Sequence, residues 1–209
     1  MNEQNGYYMN VRSEMARFID GRPLRILEIG CAGGGFRKNI TWECEYWGVE
    51  PVAAVAKQAE KNLFRVLSGT YEDVSSDLPD AYFNLIVCND VIEHMPDPWA
   101  FLVDIQKKLA PSGQIVGSVP NVRYILNLID LLIHRDWKYT EAGVLDKTHF
   151  RFFTIKSLLR LLIETGFSVE RLEPVGPDRY ACLKQCFSWA FWLAGTDVLY
   201  AQLGFRVVC

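Results

Sequence analysis

Through the first 120 residues, apolar positions cluster in short β-prone runs separated by stretches of helical period. Strands are expected at 24–29, 46–50, 63–67, 82–88 and 114–119, with helices at 36–41, 52–62 and 98–109. Alternation of that kind builds βαβ units on a parallel sheet, so the fold class is α/β and doubly wound. The run Tyr82-Phe83-Asn84-Leu85-Ile86-Val87-Cys88 is almost unbroken, which predicts a central strand covered on both faces. Ala110-Pro111-Ser112-Gly113 reads as the stop of the third helix. Beyond residue 120 the pattern loosens. Residues 121–150 read as a helical insertion mixing aromatic and charged side chains, among them Tyr124, Trp137 and Tyr139. Thr154 is placed to cap a helix from Ile155 to Glu164, and Gly166 ends it. A strand at Phe167 to Leu172, an apolar helix near 180–194 and a strand at Ala201 to Val208 complete the chain.

At 209 residues there is room for one such unit and little more, so 1–209 is read as one domain. A formal charge of −3 leaves no electrostatic footprint for nucleic acid. Met1 to Asn5 lacks the basic start of a secretion signal, and the apolar runs Ile125 to Ile133 and Cys186 to Ala194 are too short to span a bilayer. A cytoplasmic protein is expected. No two of the six cysteines form a Cys-x-x-Cys pair, and Cys31 and Cys88 fall in or beside core strands. The three histidines, 94, 134 and 149, are too scattered to argue for zinc. Neither metal nor disulfide is expected.

The chemistry begins where the first strand breaks into Glu28-Ile29-Gly30-Cys31-Ala32-Gly33-Gly34-Gly35. Gly30, Ala32 and Gly34 keep this turn free of bulk, so a ligand can approach the main chain and the N–H groups opening the next helix. Glu50 stands twenty positions after Gly30 and ends the second strand. An acid there is placed to accept two ribose hydroxyls. Alone, the turn suits nicotinamide, flavin and S-adenosylmethionine cofactors. Glu28 begins to separate them: its charge opposes a pyrophosphate and attracts a cationic amino acid moiety. Past the central strand, Asn89-Asp90-Val91-Ile92-Glu93-His94 crowds polar groups into the crevice where open α/β sheets bind ligands.

These residues resemble the class I S-adenosylmethionine-dependent methyltransferases, in particular the ubiquinone-biosynthesis-like and type 11/23 group. The resemblance is carried by Leu27 to Gly34, Glu50, Asn89 to Pro98, Lys108 to Gly113 and the block Gly143-Val144-Leu145-Asp146-Lys147-Thr148-His149-Phe150-Arg151-Phe152-Phe153-Thr154. It implies a Rossmann-like sheet of seven strands, mostly parallel with an antiparallel C-terminal end. It further implies that Glu28 and the backbone of Gly30, Cys31, Ala32 and Gly34 hold the methionine part of the cofactor. Glu50 would take the ribose, with Pro51, Tyr71 and Glu72 beside the adenine. Asn89 and Asp90 would complete the methionine pocket. Residues 1–22 resemble a lid in which Arg12 pairs with the cofactor carboxylate, a solvated arginine being the alternative. Ala32 departs from the usual Gly and is tolerated if its φ is negative.

Transfer from a sulfonium mainly needs alignment, so no catalytic triad is required. A base assists when the acceptor is a hydroxyl, and His149 leads as candidate with His94 second. The resemblance points to a small-molecule or glycan acceptor, methylated at oxygen, with S-adenosylhomocysteine as product. Two rivals remain open. Tyr180 and Lys184 have the spacing of a short-chain NAD(P)-dependent oxidoreductase, and the chain could be a catalytically silent cofactor-binding partner. The aromatic-rich helix 181–194 suits packing on the sheet edge, a homodimer contact or a peripheral membrane contact.

Overall fold

The computed structural model describes residues 11–176 and 195–209. Seven strands form one sheet: β1 (Arg25–Ile29), β2 (Glu45–Glu50), β3 (Arg65–Ser68), β4 (Phe83–Asn89), β5 (Leu109–Pro120), β6 (Ser168–Val175) and β7 (Gln202–Val208). Their order is β3-β2-β1-β4-β5-β7-β6, and β7 runs antiparallel to both of its neighbours. The chain order reverses between β1 and β4, and there the carboxyl ends of the strands open a crevice.

β4 lies at the centre, as its unbroken apolar run requires. Ile86 and Cys88 face one layer, with Phe101, Leu102 and Ile105 of α3 (Pro98–Gln106) and Leu158, Leu161 and Leu162 of α5 (Ile155–Glu164). Leu85 and Val87 face the other, with Met15, Phe18, Phe36 and Ala59. Each of the Val, Leu, Ile, Phe and Met side chains among them stabilises the fold by about 1.5–3 kcal/mol on burial. Met15 and Phe18 belong to a 3-10 turn, Ser13–Phe18, and both are fully buried, so this part of the expected lid is core.

Local signals set the helix starts. Asp97 accepts from the Ala100 N–H at 3.0 Å, and Pro98 takes the first position of α3. Thr154 and Ser157 form a capping box at the start of α5. Between the strands lie α1 (Ala53–Ala59) and α2 (Tyr71–Val74).

Several expected boundaries need correction. The segment 36–41 yields only a 3-10 turn, Phe36–Asn39. β3 starts at Arg65. Helix α3 stops at Gln106, before the Pro-Ser-Gly signal, because Lys108 is drawn into the core. Its Nζ donates to the Leu78 carbonyl at 3.0 Å and to Asp80 at 2.7 Å, and Leu109 pairs with Phe83. The stop signal lies inside β5, where the register shifts and Ser112 takes φ +62°. The insertion is helical only over α4 (Ile125–Ile129) and a π-turn, Asp130–His134. The helix near 180–194 and the Tyr180/Lys184 pair lie outside the described residues. Among the described residues no helix is long and apolar enough to cross a membrane.

Gly117 in β5 gives a test of this packing. A Cβ there would stand 2.5 Å from the Cys88 carbonyl oxygen and 2.6 Å from the Phe205 ring. Gly117→Val is expected to destabilise the fold by about 3 kcal/mol, read as a lowered urea midpoint. An unchanged midpoint would contradict the β4-β5-β7 register.

Candidate active site

The turn after β1 is held by backbone bonds to β2. The N–H groups of Gly30 and Cys31 both donate to the Val49 carbonyl, at 2.9 and 3.0 Å. Gly30 has φ +67°, and a Cβ on it would meet Val91 at 3.2 Å, so the position requires glycine. Ala32 has φ +45°, which corrects the expectation of a negative angle. The left-handed conformation costs an L-residue about 1–2 kcal/mol. Glu50 compensates: its Oε2 accepts from the Ala32 N–H at 3.0 Å, while Oε1 accepts from the Val52 N–H at 3.0 Å. One buried carboxylate thereby ties the turn to the start of α1. Gly34 is corrected as well. Its φ of +78° is what favours glycine there, and it stands off the lining of the cavity above the strand ends.

Above the strand ends lies a cavity of about 810 Å³. Glu28, Gly30, Cys31, Ala32, Glu50, Pro51, Tyr71 and Glu72 line its β1–β3 side. Arg12, Asn89, Asp90, His94, Met95, Pro96 and Thr148 line the side of β4 and β5. Glu28 is 5% exposed, and the Tyr46 hydroxyl donates to it at 2.9 Å. Burial pushes its pKa up to about 8; the Tyr46 bond opposes this and the Glu50 charge adds to it. Burial also raises Glu50, against the two backbone N–H groups it accepts. The Tyr71 hydroxyl is committed to Asp104, to which it donates at 2.8 Å. Both polar side-chain atoms of Asn89 are buried with no partner among the described residues. Such an amide is costly unless a ligand satisfies it.

Arg12 is not solvated: its side chain is 13% exposed. The guanidinium pairs with Asp90 and Glu14 and donates to the Ser118 hydroxyl at 2.8 Å. Asp90, with φ +55°, also accepts from Ser118 at 3.0 Å. Arg12 is thus anchored onto the ends of β4 and β5.

The histidines are less scattered than their sequence positions suggest. His94 and His149 meet edge to face with ring centroids 4.7 Å apart, which corrects that reading. Side-chain nitrogen and oxygen atoms of Glu93, His94 and His149 lie within 4.8 Å of one another. Glu93 is fully buried with both oxygens unpartnered among the described residues, and burial pushes its pKa up to about 8. Burial and the neighbouring His149 lower the pKa of His94. His94 lines the cavity; His149 does not, and its Nδ1 is occupied by the Val144 carbonyl at 3.1 Å.

Comparison with known proteins decides what this arrangement belongs to. A family model described as a methyltransferase domain matches residues 1–172. The chain belongs to that methyltransferase family. It is 24% identical over 170 residues to a ubiquinone biosynthesis O-methyltransferase of Rickettsia bellii, covering 76% of this chain and 67% of the relative. It is 28% identical over 172 residues to the protein of that name from Aeromonas salmonicida, covering 78% and 69%. A SAM dependent methyltransferase from Archaeoglobus fulgidus shares the fold, with a TM-score of 0.65 at 20% identity over 99% of this chain and 94% of that one.

The methyltransferase's cofactor is S-adenosylmethionine, and the oxidoreductase rival is set aside. The residues present fit this group: a buried carboxylate pair, a backbone turn open to approach and an orphaned amide converge on one cavity. Of the candidate residues read from sequence, only Gly34 and His149 stand off its lining. Thr148, Ser118 and Glu93 were missed as site residues. Thr148 and Glu93 lay within motifs already singled out, whereas Ser118 gave no signal, being one small residue in a buried strand.

Proposed function

We propose that this methyltransferase modifies a hydroxyl group of a small molecule, in particular an acidic, phenol-type hydroxyl. The observation that carries this is an uncharged His94 lining the same cavity as Glu28 and Glu50. Bound S-adenosylmethionine supplies an activated methyl group for in-line displacement, so the chain's task is to bind, align and handle one proton. In this reading Glu50 accepts the two ribose hydroxyls, and Pro51, Tyr71 and Glu72 border the adenine. Glu28, Asn89 and the backbone of Gly30 and Ala32 receive the ammonium end, and Arg12 the carboxylate. His94 accepts the proton of the acceptor. An imidazole whose pKa is lowered is a weak base, matched to a phenol near 10 far better than to a sugar hydroxyl. The relatives named O-methyltransferases support oxygen as the acceptor atom.

The test supplies S-adenosylmethionine with panels of phenols, sugars and alkyl amines, and reads S-adenosylhomocysteine formation and the gain of one methyl by mass spectrometry. Phenols are expected to turn over, and His94→Asn to lower kcat by about 100-fold. Transfer to amines alone, or undiminished phenol turnover in His94→Asn, would refute the reading.

A further inference from the structure

The segment Asp146 to Arg151 is held firmly against the loop after β4. The N–H groups of Phe150 and Arg151 both donate to the Glu93 carbonyl, at 2.8 and 3.2 Å, and Leu145 is buried at the segment's root. This fixes Thr148 beside His94. The His94 Nδ1 lies 3.2 Å from the Thr148 carbonyl oxygen and 3.3 Å from its hydroxyl oxygen. The same hydroxyl lies 2.7 Å from Asp146 Oδ1, which also accepts the Thr148 N–H at 2.8 Å.

Donor and acceptor roles along this chain follow from chemistry alone. A carbonyl oxygen only accepts, so His94 Nδ1 must carry the hydrogen. An ionised carboxylate only accepts, so the Thr148 hydroxyl must donate to Asp146, leaving its lone pair for the His94 Nδ1–H. Asp146 is ionised: burial works to raise its pKa, but the bonds it accepts from the Thr148 hydroxyl and N–H carry it below the ordinary value. A neutral ring protonated at Nδ1 has its lone pair on Nε2.

We propose that Asp146, acting through Thr148, is a positioning residue that holds His94 in the Nδ1–H tautomer and so makes Nε2 the nitrogen that takes the acceptor's proton. This rests on the reading of His94 as the proton acceptor. As the acceptor oxygen bonds to the methyl group, its proton moves to Nε2. The resulting imidazolium is stabilised by its Nδ1–H bonds to Thr148 and by the Asp146 charge behind them, then loses the proton to water. The other titratable groups facing His94 are His149 and the uncharged Glu93; neither places an acceptor at Nδ1.

With three histidines in the chain, long-range proton–nitrogen spectra of the full-length, histidine-labelled protein resolve each ring, assigned with His94→Gln and His149→Gln. His94 is expected as the Nδ1–H tautomer. Thr148→Val and Asp146→Ala are expected to mix in the other tautomer and lower the ring's titration midpoint; Thr148→Ser restores both. On a turned-over phenol, Thr148→Val lowers kcat about tenfold with KM for S-adenosylmethionine unchanged. A His94 protonated at Nε2, or a tautomer indifferent to both variants, would overturn the proposal. So would ring signals that move only on adding zinc or magnesium, which would put a cation between the rings. Full turnover in His94→Asn sinks the base reading itself. Loss in His94→Asn with wild-type turnover and pH profile in both relay variants sinks the relay alone.

Discussion

Glu50→Ala is expected to weaken binding of S-adenosylhomocysteine by about 100-fold while leaving the chain folded. The carboxylate has two duties, and alanine ends both. In the protein it holds the Ala32 and Val52 N–H groups at 3.0 Å each, so its loss frees Ala32 to leave a left-handed conformation that an alanine disfavours. Toward the cofactor it would accept two ribose hydroxyls, and hydrogen bonds to a charged group are worth about 1.5–3 kcal/mol each. Glu50→Gln retains one carbonyl acceptor and is expected to lose about tenfold. Titration calorimetry with S-adenosylhomocysteine reads the affinities, and circular dichroism checks the fold. Binding by Glu50→Ala within about threefold of wild type would mean that the ribose lies elsewhere.

The donor half of the site was legible because it is built from local order. A strand, a small-residue turn and an acid at fixed distance declare themselves along the chain, and Glu28 and Glu50 line the cavity as that order demands. What escaped were features decided by contacts distant in sequence. Helix α3 ends three residues before its expected limit because Lys108 finds the Leu78 carbonyl and Asp80, which no helical periodicity reports. The φ of Ala32 is accompanied by a bond from its N–H to Glu50, eighteen positions away.

The acceptor half shows the same division more sharply. His94 and His149 lie in two motifs 55 residues apart, and each motif was recognised on its own. Their convergence depends on the Phe150 and Arg151 N–H groups both reaching one carbonyl of Glu93, a pairing without sequence signature. Choosing between the two rings then required knowing which lines the cavity. His94 stands on that lining and His149 off it.

Glu28 and Glu93 make the unliganded protein sensitive to pH in a direction opposite to the usual carboxylate. Burial raises both from 4.5 to about 8, whereas in the unfolded chain each ionises at its ordinary value. Between pH 4.5 and 8 the folded state therefore holds protons on these two groups that the unfolded state has released, and their contribution to stability falls as pH rises through that window. Each group contributes at most about 1.4 kcal/mol per pH unit. Glu28→Gln cannot ionise, so its thermal midpoint is expected to decline less steeply from pH 5 to 8 and to exceed wild type at the upper end. Ligand binding reports the same proton. The ammonium group of S-adenosylhomocysteine beside Glu28 would favour the carboxylate, so binding at pH 7 releases a proton into the buffer. Calorimetry in phosphate and in Tris, whose ionisation enthalpies differ, counts that proton, and Glu28→Gln is expected to lose it. Equal heats in both buffers for the wild-type protein would show that Glu28 does not meet the cationic end of the ligand. A midpoint independent of pH would show that neither buried acid is protonated when the cavity is empty.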